Sequence, residues 1–315
     1  MVNAYTDTSG ASLGTSLVQT AYDRYVEMAL RPNVVVRQLV GKRPVQVDKP
    51  GSSVVLQTYA DLAPVVAALT ETVDPDSIAI PNTSSVTITL NEYGNAALVT
   101  RKLELFALSD VDPAVADILA YNMADSLDGL ALTSLRAGTN VIYAGASGAV
   151  DTTGPTNAVV STDTISSKQV RRAVTELRAR NAMPVRGDLY AAIIHPRVGV
   201  DLREETGTAG WRSPHEYSGA SMIWNGEVGV YEGAVFLETN RAYSALDGTA
   251  SAKVYRTIFV GAQGLAEAVA VEPHTVIGPV TDKLNRFRPI GWYGVLGWGR
   301  FREASIQRLE TGATS

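Results

Sequence analysis

The residue patterns predict an α+β fold, with two amphipathic helices set among many antiparallel strands. Three observations carry that expectation. Apolar residues recur at steps of three and four from Val115 to Leu130 and again from Val170 to Leu177. Val86-Thr87-Ile88-Thr89-Leu90 alternates strictly, as a half-buried strand does. A long closing strand carries Ile290, Trp292, Leu296 and Trp298 on one parity, with Arg300 at its end. No internal repeat is found.

From the start of the chain, residues 1–20 are rich in Ser, Thr, Gly and Ala and have no periodicity, which predicts a flexible arm. Tyr22 to Leu30 reads as a short helix ended by Arg31-Pro32, and Val34 to Val36 open an extended run. Residues 51–59 and 85–90 read as strands from their β-branched content. Between these strands lie about 25 residues, a length uncommon for a connection inside a compact domain. They carry Leu62, Val65, Val66, Leu69, Ile78 and Ile80, too apolar a set for a solvated linker. Something outside their own domain has to cover them, and a neighbouring subunit is the expected cover.

The strongest helix follows, with Asp112 as N-cap and Pro113 at the first helical position, where its missing N–H costs nothing. Val115, Ile118, Leu119, Met123, Leu127 and Leu130 form its stripe, and Gly138 is its stop. At 1.5 Å per residue it runs roughly 35–40 Å, enough to brace a whole subunit. Residues 139–165 are small, polar and glycine-rich, a surface loop with one hairpin. Ser166 or Ser167 caps a second helix that buries Val170, Ala173, Val174 and Leu177 and ends at Asn181. DLYAAIIHP reads as a buried strand running into a short helix near Val198 to Arg203. A β-rich region then includes GEVGVYEGAVFLETN and AKVYRTIFVG, and ASIQRLE closes the chain.

Composition narrows the function. Apolar residues make up 45% and charged residues 19%, which is a globular and not a disordered balance. No apolar stretch approaches the roughly 20 residues of a membrane span, and the first residues have neither the basic start nor the apolar middle of a secretory signal. A protein that stays in the cytoplasm is expected. The absence of cysteine removes disulfides, thiolate metal sites and cysteine nucleophiles. The formal net charge of −5 argues against a broad nucleic-acid-binding face, which needs clustered Lys and Arg. Arginine outnumbers lysine 21 to 6, and its planar fork favours specific ion pairs, here expected at contacts between chains.

Chemistry-bearing constellations are sparse. His195, His215 and His274 are scattered, and His215-Glu216 lacks the second histidine of a metalloprotease helix. Gly10-Ala11-Ser12-Leu13-Gly14 matches a nucleophile elbow by letter but lacks the strand and helix that motif needs around it. The pairs Asp110/Asp112 and Asp74/Asp76 are read as a helix cap and a turn, not a cation site. The glycines from Gly294 to Gly299 lie inside a strand and have neither dinucleotide nor phosphate-loop spacing. Lys168, Arg171, Arg172, Arg178 and Arg180 are read as a solvated helix face. No catalytic residue, metal site or cofactor is expected.

Four stretches share the order and spacing of a known family: YNMADSLDGLAL in the long helix; SSKQVRRAVTELRARN followed by YAAIIHPRVGVDLR; IWNGEVGVYEGAVFLETN; and the closing GWYGVLGWGRFREASIQRLE. With the strand–long loop–strand region, the chain resembles major capsid proteins of tailed bacteriophages with the HK97-like fold. It is most similar to the group found in phages of actinobacteria and related to the phage N4 type. The resemblance implies an N-terminal arm over 1–45 and an extended loop over 46–100 that reaches across a neighbour. It also implies a peripheral domain of 101–138 with 271–315, built on the long helix, and an axial domain of 139–270. It implies pentamers and hexamers of the chain itself, closing an icosahedral shell around double-stranded DNA without sequence-specific binding. The expected place is the virion, after assembly in the host cytoplasm. A separate scaffolding protein is expected, because the arm leaves no room for a fused one, together with a portal; whether a decoration protein joins them is left open. Lysine–asparagine cross-links occur in some relatives, but nothing local assigns that chemistry to Lys42 or Lys49. An encapsulin-like compartment shell and a tail-tube or decoration protein are the alternatives.

Overall fold

The computed structural model describes residues 35–44, 51–59, 62–66, 68–69, 71–72, 74, 77–79, 84–106, 111–145, 149–151, 154–210, 227–279, 284 and 286–314. The expected helix at Tyr22–Leu30 and most of the expected arm lie outside them.

In chain order the elements are β1 (Gly41–Pro44), β2 (Ser53–Thr58), β3 (Ser84–Thr89), β4 (Asn91–Thr100), α1 (Arg101–Phe106) and α2 (Val111–Arg136). Then come β5 (Val141–Gly145), β6 (Ala149–Asp151), α3 (Ser167–Ala179), β7 (Tyr190–Ile194) and α4 (Pro196–Gly210). The rest is β: β8 (Glu227–Tyr231), β9 (Ala234–Glu238), β10 (Ser244–Ala245), β11 (Val254–Val260), β12 (Leu265–Ile277), β13 (Phe287–Arg300) and β14 (Ile306–Thr311). They form a four-stranded sheet in the order β1-β12-β13-β4 and an eight-stranded sheet running β6-β5-β14-β11-β7-β9-β8, with β10 beside β11. β2 and β3 pair only with each other.

Local chemistry explains several of these elements. Ser166 caps α3 through a reciprocal box: its hydroxyl accepts from the Gln169 amide at 3.4 Å, and Gln169 Oε1 accepts from the Ser166 amide at 2.9 Å. Asn181 takes φ of +54° just past the helix, a left-handed position that Asn tolerates better than most residues. Glu232 and Gly233 both have positive φ, which matches the right-handed twist of the tight β8–β9 hairpin.

The eight-stranded sheet is covered on both faces, so β7 is buried throughout and reads as the unbroken apolar run YAAII. On one face Tyr190, Ala192 and Ile194 pack with Phe236 and Phe259 under α3 and α4. On the other, Ala191 and Ile193 meet Ala131, Leu132 and Leu135 from the C-terminal half of α2, together with Val35, Val36 and Leu39. The N-terminal half of α2 lies on the four-stranded sheet instead, where Leu119 joins Val99, Ile290 and Trp292. One helix of 26 residues, about 39 Å long, therefore binds both sheets into one body.

Three expectations need adjustment. The long helix begins at Val111, so Asp112 lies inside it instead of capping it. Ile118 is exposed, because only the flank of α2 carrying Leu119 faces the sheet, and one residue turns the helix through about 100°. The closing strand β14 joins the eight-stranded sheet, parallel to β5 and antiparallel to β11, and not the four-stranded sheet that holds β13. By sheet membership, β4 in turn belongs with β12 and β13.

Candidate assembly surfaces

The β2–β3 hairpin is registered by pairing Val54 with Ile88 and Leu56 with Val86. The predicted alternation holds: Ile88 is buried, Val86 and Leu90 are half-buried, and Thr87 and Thr89 face solvent. Ile88 is 1% exposed because it sinks into a shallow seat on the four-stranded sheet. Ala266 and Ala268 line that seat, together with Gly297 and Gly299. A Cβ on Gly299 would lie 2.7 Å from Ile88 Cγ1, and one on Gly297 would strike the Thr89 carbonyl oxygen. Only glycine lets strand β3 lie this close. The tryptophans and leucine of β13 point the other way, toward α2, as their shared parity predicts.

Beyond the seat the chain leaves the body. Leu62, Val65, Leu69 and Ile78 are exposed, and Val66 is 95% exposed, so no part of the described chain covers the segment. Ile80, expected in the same set, lies outside the described residues. Isolated exposed apolar side chains are ordinary, but a run of them on one extended segment marks a contact surface.

A second uncovered surface escaped the sequence reading. The six residues of α1 place Leu105 and Phe106 in solvent, Phe106 with 77% of its surface exposed, and Leu98 and Leu284 are exposed as well. The Arg101 amide donates to the Arg286 carbonyl at 2.9 Å and ties this corner together. Its signal was the sequence RKLELF, too short to show a period.

Inside the body, the joints are polar and specific. Asp128, fully buried on α2, accepts from the amides of Val36 at 2.7 Å and Arg37 at 3.0 Å, and so pins the incoming chain to the helix. Burial pushes the Asp128 carboxyl above its usual range, against the pull of those backbone donors and of Arg241. Arg37 then forks onto buried Glu267, with contacts of 2.9 and 3.1 Å to Oε1. Asn122 Oδ1 accepts from Trp292 Nε1 at 3.0 Å and Asn95 Nδ2 at 3.2 Å, locking α2 to β13 and β4. At the far end of α2, Arg308 donates to the carbonyls of Arg136 and Gly138 at 2.6 and 3.1 Å. Nε of Arg308 and of Arg256 each lie 2.9 Å from Oε1 of buried Glu310, charge contacts without hydrogen-bond alignment. The Arg256 guanidinium also stacks 4.1 Å over Tyr243.

The remaining candidates fall into structural roles. His195 Nδ1 accepts from the Arg197 amide at 3.2 Å and its ring packs on Tyr255. Burial, aided by Lys253 and Arg197, lowers its pKa to about 4, so it is neutral at pH 7. Of the basic residues on α3, Arg171 pairs with Glu232 and both Arg172 and Arg180 pair with Glu176, in keeping with a solvated face. His215 lies outside the described residues. Among the described residues no three His, Asp or Glu side chains gather as a metal site, and no helix is long and apolar enough to cross a membrane.

A braced body that holds an apolar extension away from itself has the build of a structural subunit. The chain belongs to the phage capsid protein family, which matches residues 82–312. It is a major capsid protein, a shell-forming component of the virion with the HK97-like fold. Among solved structures it is similar to the capsid of Ralstonia phage GP4, at 14% identity and a TM-score of 0.76 over 98% of this chain and 99% of that one. The cyanophage Pam1 capsid is also similar, at 15% identity and a TM-score of 0.69 over 97% and 99%. So is the head of Helicobacter pylori bacteriophage KHP40, at 13% identity and a TM-score of 0.67 over 98% of each chain. No curated protein matches it by sequence.

Proposed function

We propose that identical copies join through heterologous contacts into pentamers and hexamers, which close an icosahedral shell around double-stranded DNA. The mechanism is binding and not catalysis. The observation that carries it is the apolar segment from Leu62 to Ile78, exposed in the single chain and therefore left for a neighbour to cover. A contact of this head-to-tail kind builds rings when the rotation closes.

Burying a Val, Leu or Ile side chain stabilises by about 1.5–3 kcal/mol, so the exposed residues of the segment are a substantial driving force for contact. Two charges in the middle of the patch would have to be desolvated instead. Val65→Asp with Val66→Asp should abolish shells while leaving the subunit folded, since both side chains lie in solvent in the single chain. Shells of normal yield by electron microscopy, from a variant with native circular dichroism, would overturn the reading.

The domain scheme follows the sheets. The four-stranded sheet with the first half of α2 serves as the peripheral domain. The eight-stranded sheet with α3 and α4 serves as the axial domain, and the pairing of β14 in that sheet supports counting it there. The β2–β3 hairpin and the residues beyond it serve as the extended loop. A separate scaffolding protein and a portal complete the proposed partners, with a decoration protein left open, and assembly takes place in the host cytoplasm.

A further inference from the structure

The end of the eight-stranded sheet where β7 runs into α4 gathers donors that nothing accepts from. His195 joins the two elements, and its Nδ1 accepts from the Arg197 amide at 3.2 Å. The neutral ring therefore carries its proton on Nε2, a donor with no acceptor among the described residues. Arg197 and Lys253 are both exposed, and both act on the ring as charges. Lys253 stands just before β11, with its Nζ 5.5 Å from the centre of the Tyr255 ring, on which His195 packs at 4.8 Å.

Neither cation pairs with a carboxylate among the described residues. Glu238, opposite Ile194 on β9, is already held by Arg203 at 3.4 Å. On α3, by contrast, Arg171, Arg172 and Arg180 are balanced by Glu232 and Glu176. Two unbalanced cations beside an uncharged ring make a local positive field in a chain whose net charge is −5.

We propose that His195, Arg197 and Lys253 form a binding site for a phosphate group, free or carried in a nucleic-acid backbone. The donor set selects that chemistry. A carboxylate has two oxygens, which the fork of one guanidinium satisfies. The tetrahedral oxygens of a phosphate take the fork of Arg197, the ammonium of Lys253 and the Nε2–H of His195 together. The cations supply the attraction, and the neutral imidazole supplies direction without adding a third charge. Tyr255, buried against the ring, holds it in place.

The test is equilibrium dialysis of radiolabelled orthophosphate against the full chain, free or assembled, in chloride at constant ionic strength. Saturable uptake of a single phosphate per chain is expected. Arg197→Gln with Lys253→Gln should weaken it at least about tenfold. Both side chains lie in solvent, so the fold is kept, and circular dichroism checks this. His195→Phe keeps the packing on Tyr255 and should weaken binding about fivefold, the loss of one neutral donor. Lys168→Gln with Arg171→Gln removes the same charge from α3 and should leave uptake unchanged.

A short DNA duplex of arbitrary sequence identifies the source of the phosphate. Displacement of the label means that a backbone phosphate fits the site, and retention means that the ligand is free phosphate; the site stands in either case. Three results would overturn it: no saturable uptake, uptake unchanged in Arg197→Gln with Lys253→Gln, or an equal loss in the α3 control. The last would show that charge alone explains the binding.

Discussion

The seat of the β2–β3 hairpin can be probed one methyl group at a time. In Gly299→Ala the new Cβ lies 2.7 Å from Ile88 Cγ1 and 3.2 Å from its Cδ1, but 3.8 Å from its Cβ. Overpacking of this kind typically costs about 1–3 kcal/mol. Ile88→Ala on its own opens a cavity and costs about 2–5 kcal/mol. Combined, the two should cost less than their sum by about 1–3 kcal/mol, because truncation removes the atoms that clash and leaves an ordinary contact. Gly297→Ala is the control: its Cβ meets the Thr89 carbonyl, which is backbone, so Ile88→Ala should not rescue it. The readout is native-state hydrogen exchange of the hairpin amides, including Leu90, whose N–H bonds the Ser52 carbonyl at 3.0 Å. Additivity of Gly299→Ala and Ile88→Ala within about 0.5 kcal/mol, or equal rescue of Gly297→Ala, would show that the hairpin is not held by this seat.

Three further outcomes follow from the interior joints. Asp128→Ala strands the buried amides of Val36 and Arg37 and should cost roughly 2–4 kcal/mol in urea unfolding, whereas Asp128→Asn keeps an acceptor and should cost far less. Because burial raises the Asp128 pKa above its ordinary 3.8, the native carboxyl favours folding below that value, and this contribution is lost as pH rises past the raised pKa. The Asn variant should lack that slope; an unchanged slope would exonerate Asp128. His195 has the opposite sign: with its pKa lowered from 6.5 to about 4, its contribution is full above 6.5 and is lost as pH falls through that window. His195→Phe keeps the packing on Tyr255 and should flatten the pH 6.5–4 part of the stability curve, and an unaltered curve would refute this. Glu310→Gln leaves the Arg308 guanidinium without its countercharge and Arg256 with Asp247 alone, 3.5 Å away, and should cost about 3–5 kcal/mol, read as a fall in Tm. An unchanged Tm would show the triad to be incidental.

What could be read from the sequence was what local chemistry decides. The box around Ser166 and Gln169 and the stripe from Val170 to Leu177 are complete within one helix, so α3 was legible almost to the residue. The parity of Ile290, Trp292, Leu296 and Trp298 likewise needs only the strand that carries it. The apolar loop was legible because its composition conflicts with its length as a connection. The remaining features depend on what lies across the fold. The period that identified α2 could not say which flank the sheet would cover, so Ile118 was placed inside and Asp128, next to the stripe, was passed over. Gly297 and Gly299 were visible, but their use depends on Ile88 from a distant strand. The same holds for β14, whose partners β5 and β11 are not its neighbours in sequence.

The arginine excess acquires a different meaning once the joints are known. It was expected to serve contacts between chains, yet the three carboxylates of Glu227, Glu267 and Glu310 are each fully buried and held by arginines of the same chain. Pairs of this kind add little net stability, since desolvation offsets the attraction, but a wrong register would strand a charge in the interior and is strongly disfavoured. Glu267 ties Arg37 to β12, Glu310 lies between β11 and β14, and Glu227 is held by Arg186 at the β8 edge of the eight-stranded sheet. Elsewhere arginines stay exposed, Arg101 and Arg286 at the α1 corner among them. Paired inside, arginine therefore serves this protein first by fixing the register of its own strands, which makes the subunit a rigid unit.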